Sequence, residues 1–192
     1  MACSHLSGTL FDVPHRTNDV IHDLPTPFIE PGAEVRFLCD AMLGGLARWL
    51  RAAGYDAEFQ HGISDPALVA RGHATGRIVL SSDRGIFARS IVRTGVVRAL
   101  FIPRHRPPLE QLTFALGRLG LPIRDPRCMA CGGGLVEVEK ESVRGEAPPI
   151  TFENVEQFWR CTACSKLLWK GSHWQGIMAR IGSVNLPLAR SA

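Results

Sequence analysis

Lysine is almost missing: the 192 residues contain three, Lys140, Lys166 and Lys170, and none lies between residues 35 and 126. That absence counts against an aspartyl phosphatase or a phosphorylated receiver domain in that block, since both usually neutralise the phosphoryl group with a lysine. No G-x-x-x-x-G-K-[ST] pattern occurs, which excludes a P-loop nucleotidase. Gly44-Gly45 lacks the third glycine of a dinucleotide fingerprint. No apolar run approaches the ~18 residues of a membrane span. The start, Met1 to His5, has no basic segment followed by an apolar one, so no secretory signal is expected. Cys3 and Cys39 suggest no disulfide framework, which fits a reducing, cytoplasmic setting.

What charge there is falls in blocks. Residues 1–34 hold one arginine and five acids; residues 35–126 hold thirteen arginines and seven acids; residues 127–192 hold eight basic and six acidic residues. An all-arginine basic block suits a phosphate-rich partner, because the guanidinium fork matches phosphate oxygens in pairs. Arginine on an ordinary solvated surface is the competing reading. Residues 1–34 contain Pro14, Pro25, Pro27 and Pro31 without periodicity and read as a flexible N-terminal arm. A hydrophobic content of 45% is enough to fill a packed core, so the chain is globular.

From residue 35 the pattern alternates. Val35 to Cys39 is a short apolar run. Leu43, Leu46, Leu50 and Ala53 recur at helical spacing, with Gly54 placed to end the helix. Asp56 to Phe59 forms a second strand, and Ser64-Asp65-Pro66 opens a second helix that Gly76 closes. Arg77 to Ser82 is a third strand, residues 85–94 a third helix, Val96 to Ile102 a fourth strand. Pro107-Pro108 starts a last helix with Leu109, Leu112, Leu116 and Leu119 on one face. Strands separated by helices of this length predict an α/β fold, a parallel sheet with helices on both faces.

Asp40 and Asp83 each follow directly on an apolar strand. In an open parallel sheet ordered 2-1-3-4, the ligand crevice lies beyond the carboxyl ends of strands one and three, and those are the strands that end in aspartate. Two neighbouring carboxylates repel, and a divalent cation relieves the repulsion. Asp65, at the start of the second helix, can lean over the same crevice. Each aspartate has a plainer role as helix cap or loop residue, and Asp before Pro is a good cap by itself. A lysine-free acidic crevice rimmed by arginines suits metal-assisted phosphodiester cleavage with Mg²⁺ or Mn²⁺. Arg48 and Arg84, close behind the two strand-end acids, are candidates for gripping phosphate.

Further on, Cys128-Met-Ala-Cys131 and Cys161-Thr-Ala-Cys164 form two C-x-x-C knuckles, a spacing that sets four thiolates around one structural Zn²⁺. Two disulfides or buried free thiols are the alternatives. Such a site has no open coordination position and holds a small domain together. The gap between the knuckles has room for a β-hairpin. Trp159, Trp169 and Trp174 lie beside Arg160, Lys166, Lys170 and His173, a mixture able to stack bases and contact phosphates, or else to pack the ribbon on the core.

Phe37 to Arg51 with Gly54-Tyr55-Asp56, then Asp65 to Leu68 with Gly76 to Gly85, then Arg127 to Gly133 with Phe158 to Cys164 and Trp169 to Trp174, resemble in that order the Mut-seven C-terminal RNase domain family. The resemblance implies a PIN-like nuclease core over residues 35–124 and an appended zinc ribbon over 125–180, with a tail over 181–192. It implies that Asp40, Asp65 and Asp83 hold the divalent ion, that Cys128, Cys131, Cys161 and Cys164 hold zinc, and that RNA is the substrate, with Arg48, Arg84 and Lys170 as phosphate contacts. PIN nucleases often add a fourth acid near the end of the fourth strand; here that stretch is Pro103-Arg-His-Arg-Pro-Pro108. A binding module for RNA or protein, keeping the fold without catalysis, is the reading that this departure favours.

Overall fold

The computed structural model describes residue 24 and residues 26–183. Strands β1 (Arg36–Cys39), β2 (Asp56–Phe59), β3 (Ile78–Ser81) and β4 (Ala99–Phe101) form a parallel sheet in the order β2-β1-β3-β4. Alternation along each strand explains its two faces. Phe37, Cys39, Ile78, Leu80, Leu100 and Ile102 point to one side, where α1 (Gly44–Ala52) and α5 (Pro108–Leu119) cover them. Leu38, Val79, Ala99 and Phe101 point to the other, under α2 (Asp65–Thr75), α3 (Arg84–Ala88) and α4 (Ser90–Arg93). The α/β class, the strand order and the placement of helices on both faces match the sequence expectation.

Two elements differ from it. The helix expected over 85–94 is broken at Arg89, whose backbone is extended and whose carbonyl starts α4. Ile86, Phe87 and Val92 all enter the same core cluster. In one helix at about 100° per residue, Ile86 and Val92 would lie about 120° apart and Phe87 and Val92 about 140° apart, and the break lets all three reach one cluster. The fourth strand is shorter than 96–102, since Val96 is exposed and only residues 99–101 pair in the ladder.

The described part of the N-terminal segment lies on the core. Leu24 and Ile29 pack against opposite core clusters, and Thr26 Oγ1 accepts a 2.6 Å hydrogen bond from Arg118. Residues 1–23 and 184–192, in the expected arm and tail, lie outside the described residues.

Beyond α5, strands β5 (Leu135–Val138), β6 (Phe158–Cys161) and β7 (Leu167–Trp169) form an antiparallel sheet. β5 and β6 pair as a hairpin does, but the connection between them carries a 3-10 turn (Lys140–Val143) and α6 (Pro149–Asn154), which accounts for the long gap between knuckles. Val143, Ala147 and Phe158 bury themselves there with Phe152 and Trp169, giving the ribbon a small core of its own. Helix α7 (Ser172–Gly182) then returns to the first domain, where Ile177 and Ile181 pack with Ala52 of α1 and Ile123.

Arg51 joins the halves. This buried side chain on α1 donates from Nε to Ala57 O of β2 at 2.8 Å, and from Nη1 to Met129 O at 3.1 Å and Ala130 O at 2.8 Å inside the first cysteine knuckle. Its own carbonyl accepts from the Arg127 N–H at 2.9 Å. Gly132 sits against this contact with φ +86°; a Cβ there would lie 3.3 Å from Arg51 Nε. Hydrogen bonds from a charged donor contribute about 1.5–3 kcal/mol each, and a buried carbonyl left without its donor is costly. Arg51→Ala is therefore expected to lower stability by about 2–4 kcal/mol in urea unfolding. Arg51→Lys should recover less than half of that loss, because an ammonium cannot reproduce the fork.

Candidate metal centres and active site

At the carboxyl edge of the sheet, the β1–β3 register pairs Cys39 with Leu80, which places Asp40 beside Ser81. Ser81, fully buried, donates from Oγ to Asp40 Oδ2 at 2.6 Å and accepts from the Asp83 backbone N–H at 3.0 Å. One hydroxyl thus ties the two strand ends together and orients the Asp40 carboxylate. Asp40 is itself buried. Asp83 Oδ1 accepts from Gly85 N–H at 2.7 Å and caps α3, so its capping role is real and engages one of its two oxygens. Asp65 is not the cap of α2; that position is Ser64, which makes no side-chain capping bond.

Asp65 leans over the same edge. Its carboxyl pKa is raised, first by partial burial, then by the negative charges of Asp83 and Asp40 and by a hydrogen bond with Asp83, against the opposing charge of Arg89. The structure therefore brings the three nominated aspartates into one electrostatic neighbourhood. It does not draw their oxygens as tightly together as the cysteine sulfurs. Among the described residues, the four cysteines are the only group of three or more potential ligands lying within 4.8 Å of one another.

Other acids near the sheet are already neutralised. Arg77 binds Asp56 Oδ2 at 2.7 Å and Glu58 Oε2 at 3.1 Å, and Arg71 also pairs with Glu58. Cys39, next to Asp40, is excluded as a nucleophile, since burial pushes its thiol up to about 12. Of the phosphate candidates, Arg48 and Arg84 are exposed and make no hydrogen bond or ion pair among the described residues. Lys170 Nζ lies 4.6 Å over the Trp159 ring.

The cysteine quartet has the geometry of a tetrahedral site. Cys128 Sγ lies 3.8 Å from Cys164 Sγ, and Cys131 Sγ lies 3.4 Å from Cys161 Sγ. Four bonds of ~2.3 Å to one ion imply sulfur separations of ~3.8 Å, so the donor set and the spacing fit Zn²⁺. The two knuckles repeat each other. Gly132 and Ser165 occupy the same place after their knuckles, with φ +86° and +58°, and each N–H returns to the carbonyl of the first cysteine. Burial opposes ionisation of Cys161. The N–H groups of Cys164 and Ala163 and the thiols of Cys131 and Cys164 outweigh it and lower its pKa, while burial and the neighbouring sulfurs raise that of Cys131, so Cys161 is the one of this pair that ionises first.

Ser81 is the site residue that sequence reasoning missed, because only the strand register reveals that it faces Asp40. Ser81→Ala would orphan the Asp83 N–H and remove a donor from Asp40. It is expected to cost about 1–3 kcal/mol in denaturant unfolding. Cys128→Ser should unfold the ribbon locally and leave the α/β block folded, read as loss of amide protection confined to residues beyond about 127.

No curated protein and no solved structure matches the chain. A family model does, that of the Mut7-C RNAse domain, over residues 35–181. The matched stretch takes in the parallel sheet, the three aspartates, both knuckles and nearly all of α7. With that span matched and that fold built, the chain belongs to the Mut7-C RNAse domain family.

Proposed function

We propose that this protein is a metal-dependent ribonuclease that hydrolyses RNA phosphodiester bonds at Asp40, Asp65 and Asp83. The observation that carries the reading is the bridge through Ser81, which holds two strand-end aspartates at neighbouring positions while a third carboxyl suffers their charge. Membership of an RNase family supports it independently. An acid cluster of this kind is unfavourable until a cation offsets it. Asp40, Asp83 and Asp65 are hard oxygen donors, which fit Mg²⁺ or Mn²⁺. A divalent ion held there supplies Lewis acidity, lowering the pKa of a water and offsetting charge on the scissile phosphate.

The chain's own residues do the rest. Ser81 keeps the Asp40 carboxylate in one orientation, and the cap bond to Gly85 does the same for Asp83. Arg84 and Arg48, exposed beside the edge, grip flanking phosphates. Zinc on Cys128, Cys131, Cys161 and Cys164 is structural, because four thiolates fill a tetrahedral shell. RNA is the partner in this reading.

A second reading, a non-catalytic RNA- or protein-binding module, is favoured by the looser spacing of the three carboxylates and by the basic Arg104-His105-Arg106 where a fourth acid would help hold a metal pair. Zinc-loaded protein should cleave mixed single-stranded RNA with Mn²⁺ and not without it. Asp40→Asn should lower that rate by about 10²–10³-fold while RNA binding persists, since the arginines remain and one repulsive charge is gone. Equal cleavage by Asp40→Asn, after rigorous removal of contaminating nuclease, would refute the mechanism. Binding by both proteins with cleavage by neither would establish the second reading.

A further inference from the structure

A groove of about 1000 Å³ runs between the α/β block and the ribbon. Its lining includes Gly44, Gly45 and Phe59, near the carboxyl edge of the sheet where Asp40 follows β1. The lining also includes Arg48 on α1, Lys166 just after the second knuckle, and Trp169 and Trp174. The lining includes cations, Arg48, Arg51 and Lys166, and no acid. Arg51 is committed to backbone carbonyls, but Arg48 and Lys166 are exposed and their side chains have no hydrogen bond or ion pair among the described residues.

Trp169, Trp174 and Leu168 also belong to a second, smaller cleft of about 200 Å³, completed by Trp159, Lys170 and Asp125. The groove and the cleft are neighbours, with Leu168, Trp169 and Trp174 bordering both. The tryptophans divide by role. Trp169 belongs to the ribbon's own core, beside Phe158 at 6.4 Å. Trp159 and Trp174 take part in none of the described core clusters and remain half-buried on the cleft. An aromatic cleft reached from an acid-free cationic groove combines the two features that take up single-stranded nucleic acid: charge that follows the backbone, and rings on which bases stack.

We propose that single-stranded RNA lies in this groove, with its phosphates on Arg48 and Lys166, and inserts one nucleobase into the cleft of Trp159, Trp169 and Trp174. The proposal rests on the ribonuclease reading and adds to it a substrate form and a path, from the ribbon towards the carboxyl edge of the sheet beyond which Asp40 sits. Asp125 gives the cleft an acceptor-only carboxylate, which repels a phosphate and accepts hydrogen bonds from a base carrying an exocyclic amine. A duplex is excluded, because its bases are stacked on each other and present no free face.

The test measures binding of a fluorescent single-stranded RNA oligonucleotide, the same oligonucleotide annealed to its complement, inorganic polyphosphate and an apolar peptide. Asp40→Asn protein with full zinc content serves as parent. Trp174→Ala should weaken single-stranded RNA binding about tenfold or more and leave polyphosphate binding within twofold of the parent, while Trp174→Phe retains most of the RNA affinity. Lys166→Glu should weaken both anions and reduce the slope of log K against log salt by about 0.7. Thermal unfolding and zinc content of each variant confirm that the fold is kept. Single-stranded RNA affinity within twofold of the parent for both Trp174→Ala and Lys166→Glu overturns the proposal, as does tighter binding of the duplex or an apolar peptide that displaces RNA only from the parent's groove with no effect of Lys166→Glu. Failure of the wild type to cleave, with these binding losses intact, would refute the catalytic reading alone.

Discussion

The guanidinium of Arg51 is the contact on which the relation of the two halves depends. It reaches from α1 to the edge of the sheet at Ala57 and into the first cysteine knuckle at Met129 and Ala130. The linker runs along the end of the same helix, with Arg124 N–H on Ala53 O and Arg127 N–H on Arg51 O. Helix α7 adds a second attachment through Ile177 and Ile181, which pack with Ala52, Ile123 and Met129. A ribbon with so small a core could otherwise pivot on its linker. Fixed by Arg51, it forms one wall of the groove whose opposite wall is α1, the helix that begins four residues after Asp40.

At the sheet edge, burial and then the charges of Asp83 and Asp40 bear on the Asp65 carboxyl, while Asp40 is tied to Ser81 and Asp83 to the start of α3. Several acids elsewhere are paired off: Asp56 and Glu58 with Arg77, Glu58 also with Arg71, Glu146 with Arg160. Arginine thus serves architecture to a large extent. Arg36, Arg51, Arg77, Arg98 and Arg118 all hold backbone or side-chain oxygens within the protein, whereas the side chains of Arg48, Arg84, Arg93 and Arg104 make no hydrogen bond or ion pair among the described residues.

The parts legible in the sequence are those with short-range signatures. Alternating apolar runs set out the strands, and Gly76, left-handed, ends its helix where expected. The C-x-x-C pairs bring four sulfurs together as their spacing requires. The parts that are not legible depend on long-range register. Nothing local marks Ser81 as the partner of Asp40, and nothing distinguishes Arg51 from a solvated arginine. The break at Arg89 follows from where the core lies relative to Ile86 and Val92. Helix α7 is a different case, since Trp174, Ile177, Met178 and Ile181 recur at helical spacing and carry a local signal for a helix. Strand ends nominate the aspartates; their mutual placement needs the fold.

The central question is whether a hard divalent cation binds at the sheet edge while zinc stays in the ribbon. Anomalous diffraction at the manganese and zinc edges, from crystals of the zinc-loaded protein soaked in Mn²⁺, measures this directly. The expected result is a zinc peak among the sulfurs of Cys128, Cys131, Cys161 and Cys164, and a manganese peak in contact with the carboxylates of Asp40 and Asp83. A manganese peak elsewhere, or none at concentrations that support RNA cleavage, would contradict the assignment.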